Sequence, residues 1–197
     1  MKINFKHIAI IGVGLIGSSF ALALKKHGYK GRITGIGRNK ANLTKAMKLG
    51  IVDDCTTDYS DGVKYADLVL LAVPVGRFEP IIKNIRHSVK QGAIVTDVGS
   101  VKGPIVRKIE ALMPAGVSFI GAHPIAGREC SGIDCASADL YQDARCIITP
   151  GAKTNKTALK KITQIWKAVG AKTVIMDPEV HDIIFGAVSH MPHVIAY

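Results

Sequence analysis

IAIIGVGLIGSSFALAL, residues 8–24, opens as an apolar run of β type from Ile8 to Ile11, breaks at Gly12 and resumes at helical spacing after Gly17. A strand, a tight turn and a helix therefore follow one another. Gly12, Gly14 and Gly17 fall on GxGxxG. In that pattern the first glycine permits the turn, the second lets a pyrophosphate approach the backbone, and the third lets the helix pack closely on the strand. The helix start at Leu15 and Ile16 then faces the phosphates with unpaired N–H groups and the positive end of its dipole. These five residues are expected to hold a dinucleotide.

The surrounding chain has room for such a site. Its 197 residues are enough for a full sheet with helices on both faces, and 48% hydrophobic residues with a mean hydropathy of +0.23 exclude a disordered chain. Met1 to Leu24 mimics a secretory signal, with Lys2 and Lys6 ahead of the apolar run. The glycine spacing is accounted for by a nucleotide turn instead. That run approaches the ~18 apolar residues of a membrane span but is interrupted by Gly12, Gly14, Gly17, Ser18 and Ser19, so no membrane partner is expected. Cys55, Cys130, Cys135 and Cys146 form no CxxC pair and read as free thiols of a cytoplasmic protein. A net charge of +11 invites nucleic acid, yet no aromatic interleaving or nucleic-acid motif accompanies it. A solvated basic surface that attracts small anions is the reading preferred.

RITGIG, residues 32–37, reads as the second strand, after a helix that Gly28 ends. A carboxylate at the end of this strand would bind the ribose 2′-OH of NAD. No Asp or Glu occurs before Asp53, whereas Arg38 and Lys40 stand at and just past the strand end. An arginine there suits a 2′-phosphate, so NADP is favoured over NAD.

Strands and helices alternate from there on. Ala41 to Leu49 is helical, and LVLLAV, residues 68–73, is a short apolar run suited to a parallel strand buried on both faces. Pro74 closes it, and Val73 and Pro74 should lie against the cofactor because ligands sit at the carboxyl ends of such strands. Residues 78–89 and 105–113 read as helices, and 93–98 and 117–122 as strands. A strand at 146–149, a helix at 156–169 and a strand at 172–175 follow. The fold class is α/β, a doubly wound, mostly parallel sheet of the Rossmann type spanning residues 1–177.

Two later strand ends carry polar groups that packing does not explain: DVGSVK, residues 97–102, and GAHPIAGRE, residues 121–129. Both should converge beside the nicotinamide. His123 can draw a proton from an alcohol while its hydride leaves, and Ser100 can fix the ring's orientation. The structural alternatives are a histidine satisfied by backbone and a serine that caps the following helix.

The combination of GVGLIGSS (12–19), DVGSVKG (97–103), GAHPIAGRECSG (121–132) and HDIIFGAVSHMPH (181–193) resembles the prephenate/arogenate dehydrogenases of tyrosine biosynthesis. The resemblance covers nearly the whole chain, and its later blocks are far more specific than the glycine fingerprint. It implies oxidative decarboxylation of prephenate to 4-hydroxyphenylpyruvate, or of arogenate to tyrosine, with NAD(P)+ as oxidant. By matching position, His123 resembles the family's catalytic histidine at the ring 4-hydroxyl, and Ser100 its serine partner. Glu129 and His193 resemble residues that shape the substrate pocket.

His190 and His193 lie three apart on one helical face, with His181 earlier, a spacing that can bind metal. A zinc site needs further ligands that nothing here supplies, so substrate contact or helix packing is preferred and no metal is expected. Residues 178–197 are expected to be the first helix of an all-helical domain that in the family forms the homodimer and contributes an arginine for a substrate carboxylate. That arginine has no counterpart in this sequence. Two other readings remain open: a non-catalytic dinucleotide-binding module, and a dehydrogenase of a small hydroxy acid.

Overall fold

The computed structural model describes residues 3–190, the side chains of 189 and 190 excepted. Among these residues eight strands form one sheet: β1 (His7–Ile11), β2 (Arg32–Ile36), β3 (Asp54–Thr56), β4 (Leu68–Leu71), β5 (Ile94–Asp97), β6 (Ser118–Pro124), β7 (Arg145–Pro150) and β8 (Lys172–Ile175). Their spatial order is β3-β2-β1-β4-β5-β6-β7-β8, parallel throughout except where β7 runs against β6. The chain winds outward from β1 to β3, then returns to place β4 on the other side of β1. The crevice beyond the carboxyl ends of β1 and β4 is therefore the topological switch point, where an α/β sheet binds its ligand.

Helices α1 (Leu15–Lys26), α2 (Lys40–Lys48), α3 (Tyr59–Val63), α4 (Phe78–Ile85), α5 (Gly103–Leu112), α6 (Lys156–Ala168) and α7 (Pro178–Phe185) cover the faces. Successive residues of β1 alternate between two cores, Ile8 and Ile10 in one, Ala9 and Ile11 in the other. This double burial is why β1 and β4 read as unbroken apolar runs rather than as alternating ones. The first core closes around Phe20, Tyr141 and Trp166, whose ring centroids lie 5.0–6.3 Å apart. Tyr141 also donates its hydroxyl to the Ile16 carbonyl at 2.6 Å, and the Ser137 N–H donates to Ser19 Oγ at 3.0 Å. The segment joining β6 to β7 thus clamps the start of α1 from a distance of more than a hundred residues in sequence.

Three local readings change. β3 and α3 are too short and polar to announce themselves as apolar runs; α3 starts because Asp58 caps it, accepting from the Asp61 N–H at 3.1 Å. Residues 86–89, expected in a helix, lie beyond the end of α4 in a turn closed by the Ser88 N–H on the Ile85 carbonyl. The cysteines are not all free: Cys130 and Cys135 are bridged, because the chain after β6 folds back on itself between them. Cys146 is a buried thiol pushed well up by burial, which makes it unreactive. Among the described residues, no helix is long and apolar enough to cross a membrane.

Candidate active site

Each glycine of the opening stretch has a different structural reason. Gly12 sits at φ +104°, and a Cβ there would lie 2.3 Å from the Ala72 carbonyl oxygen. A Cβ on Gly17 would come within 2.1 Å of the Gly12 carbonyl oxygen, so the close fit of helix to turn needs a bare residue. Gly14 meets nothing within 4 Å. Protein packing thus requires the first and third glycines, while the second fronts open space.

That space is a cleft of about 480 Å³ lined by Gly12, Val13, Gly14, Gly37, Arg38, Asn39, Asn42, Tyr59 and Val73. It lies at the switch point. Helix α1 begins beside it with no acidic residue in its first turn and no side-chain cap on Gly14, leaving its leading amides available to an anion. These features fit a dinucleotide pyrophosphate. Leu15 opens the helix, and Ile16 turns its side chain into the first core. Arg38 is exposed at the end of β2, and Val73 lines the cleft. Pro74 precedes the short turn Val75–Arg77 and is not among the lining residues. The lining residues Tyr59, Asn39 and Asn42 escaped the sequence reading because they carry no motif of their own. Gly14→Ala is expected to fold with an unchanged melting temperature yet lose about 1.5–3 kcal/mol of cofactor affinity, roughly 10- to 150-fold, as charge-assisted phosphate contacts are pushed away. Gly17→Ala is expected to lower the melting temperature; thermal denaturation and cofactor titration separate the two.

The second half of the site lies at the carboxyl ends of β5 and β6. Asp97, the last residue of β5, is fully buried and paired with Lys102, also fully buried. The Asp97 carboxylate accepts from the N–H groups of Gly99 (2.8 Å) and Ala122 (3.1 Å), and Lys102 Nζ donates to the Ala122 carbonyl at 3.0 Å. This pair ties the two strand ends together immediately before His123. Ser100 is exposed in the loop after β5, while His123 is half-buried near the end of β6. Both therefore stand at the same edge of the sheet. Ser100 does not cap α5. Lys102 occupies the capping position, and the amides of Lys102 and Gly103 donate to the two oxygens of Asp182 on α7, each at 2.8 Å.

Asp182 also accepts from His181 Nδ1 at 2.8 Å. Burial pushes this carboxyl up, but the hydrogen bonds from His181 and from the Lys102 and Gly103 amides outweigh it and hold it below the ordinary carboxylate range. His181 in turn reaches His123, with its Nε2 2.9 Å from His123 Nδ1. The sequence reading had placed His181 only in a loose histidine spacing. The signal available in the sequence is the ionisable pair His181-Asp182 placed directly before the apolar Ile183, Ile184 and Phe185.

Glu129 is exposed in the loop after β6. His193 and the side chain of His190 lie outside the described residues. Among the described residues, no group of three or more His, Cys, Asp or Glu side chains could hold a metal ion.

Known proteins resemble this chain in sequence and fold. The family model of the prephenate dehydrogenase nucleotide-binding domain matches residues 20–175. The chain is 38% identical over 190 residues to a prephenate dehydrogenase of Bacillus subtilis, covering 96% of this chain and 51% of that protein. It is 38% identical over 193 residues to a cyclohexadienyl dehydrogenase of Zymomonas mobilis, covering 98% and 66%. The crystal structure of Aquifex aeolicus prephenate dehydrogenase with hydroxyphenyl propionate and NAD+ superposes with a TM-score of 0.93 at 40% identity, covering all of this chain and 68% of that one. The chain thus spans about half to two thirds of the length of these relatives. Family model, identity and fold agree, and the chain belongs to the prephenate dehydrogenase family.

Proposed function

We propose that the protein oxidatively decarboxylates prephenate, or its amino counterpart arogenate, and passes the hydride to NADP+ or NAD+. The observation that carries this reading is the imidazole of His123, set near the end of β6 on the same carboxyl edge of the sheet as the switch-point cleft and backed by His181 and Asp182. When bound, the nicotinamide supplies the hydride acceptor; Gly12, Gly14 and the leading amides of α1 would hold its pyrophosphate. His123 draws the proton from the ring hydroxyl as the hydride leaves the same carbon. Once the ring carboxylate departs as CO2, its electron pair makes the ring aromatic, and His123 returns the proton to the oxygen. No net proton is released. Ser100 orients the hydroxyl, and Glu129 shapes the pocket. Aromatisation supplies the driving force, so the protein mainly positions the reactants and moves one proton.

Arg38 favours NADP+. It lines the cleft just past the end of β2, where a ribose 2′-phosphate would be recognised, and β2 carries no carboxylate that would bind the 2′-hydroxyl instead. Arg38→Ala is expected to weaken NADP+ by about 1.5–3 kcal/mol, roughly 10- to 150-fold, and to change NAD+ little, as titration with each cofactor would read. Residues 178–190 would open a helical, dimer-forming part of the enzyme, which the exposed apolar side chains of Val180, Ile183 and Val188 support. Initial rates with two substrates and two cofactors test the function. Turnover of neither prephenate nor arogenate with either cofactor overturns it.

A further inference from the structure

Behind His123 stands a chain of hydrogen bonds whose direction can be worked out from its far end. Asp182 is a carboxylate with every neighbour donating to it: the Lys102 and Gly103 amides at the start of α5, and His181 Nδ1. A helix N-terminus favours the anion there, so the oxygen facing His181 accepts. His181 must then carry its hydrogen on Nδ1, and above the ordinary histidine range, where its ring is neutral, it presents a lone pair on Nε2. That lone pair lies 2.9 Å from His123 Nδ1, which must therefore be the donor.

We infer that His181 and Asp182 are positioning residues that hold His123 in the Nδ1–H tautomer, making its Nε2 the nitrogen that takes the substrate's proton. The inference rests on the proposed function for its substrate step, though not for the tautomer itself. Packing restricts the rings as the hydrogen bonds do. His181 is fully buried and stacked on Phe185, with ring centroids 4.6 Å apart and planes 28° from parallel. His123 meets both rings edge-on, at 5.1 Å from His181 and 5.3 Å from Phe185. When Nε2 of His123 is protonated, the Nδ1 hydrogen stays directed at His181. Asp182 keeps its negative charge, because the α5 amides would lose their acceptor if it took the proton.

Nitrogen-15 spectra of histidine-labelled protein, recorded above the ordinary histidine range and assigned with His123→Asn, read the tautomer directly. The expected result is a protonated Nδ1 and an unprotonated Nε2 on His123. A hydrogen on Nε2 overturns the inference. Two variants separate positioning from mere packing. His181→Phe fills the space without an acceptor and is expected to lose the Nδ1–H tautomer and about ten- to a hundredfold in kcat, with KM and cofactor affinity unchanged. His181→Gln keeps an acceptor at the position of Nε2 and is expected to retain the tautomer and most of kcat. Equal losses in both variants, or an unchanged kcat in His181→Phe, overturn the inference. If His181→Phe does not fold, the wild-type and His181→Gln tautomers decide. A wild type that turns over neither substrate overturns the functional reading alone, and the tautomer spectra then decide the inference.

Discussion

His123→Asn lowers kcat by about 10²- to 10⁴-fold while leaving cofactor affinity and melting temperature close to those of the wild type. The magnitude is that of losing one general base. An asparagine amide keeps a polar group at the end of β6 but cannot hold a proton near neutral pH. The cofactor cleft, on the far side of β4 and β5 from β6, is untouched by the change. The wild type's activity should rise with pH as His123 becomes neutral, and the variant's residual rate should lack that rise. Steady-state kinetics across pH, with cofactor titration alongside, check both. Full activity in His123→Asn removes the residue from the reaction.

Lys102→Met destabilises the protein by about 3–5 kcal/mol, the cost of stranding a buried charge, which lowers the melting temperature by roughly 6–20 °C. Without the ammonium, the Asp97 carboxylate keeps only the Gly99 and Ala122 amides in a place with no access to water. The Ala122 carbonyl loses its donor as well, one residue before His123. Catalysis should therefore fall with stability. The double variant Asp97→Asn/Lys102→Met, which leaves no charge unpaired, should recover much of the loss. Thermal melts of the single and double variants measure the difference. Equal melting temperatures for Lys102→Met and the wild type would show that the ion pair is not what holds these strand ends.

The glycine pattern and the apolar runs at 8–11 and 68–71 pointed to the parallel sheet, because a strand buried on both faces reads as continuous hydrophobic sequence and the glycine turn sets it apart from a membrane or signal segment. The place of the cofactor cleft followed from the same residues, since GxGxxG is local: turn, helix start and phosphate approach lie within six positions. The placement of His123 near the end of β6 and of Ser100 in the loop after β5 was legible for a related reason, as polar groups that follow apolar strands. What stayed hidden spans long separations. The Asp182 cap on α5, the His181 contact to His123 and the Tyr141 clamp on α1 join residues 79, 58 and 125 positions apart, or thereabouts, and no periodicity links such pairs.

The sequence by itself determined that a dinucleotide turn opens the chain and that a histidine ends a later strand, because both are properties of a few consecutive residues. Tertiary structure alone decided that Gly14 faces open space while Gly17 is packed shut. It also decided that Asp97 and Lys102 are buried together and that His123 leans on His181. Burial and hydrogen-bond partnership are set by the crossing of distant segments, and that crossing exists only once the sheet has brought the ends of β5 and β6 and the helix α7 to one place.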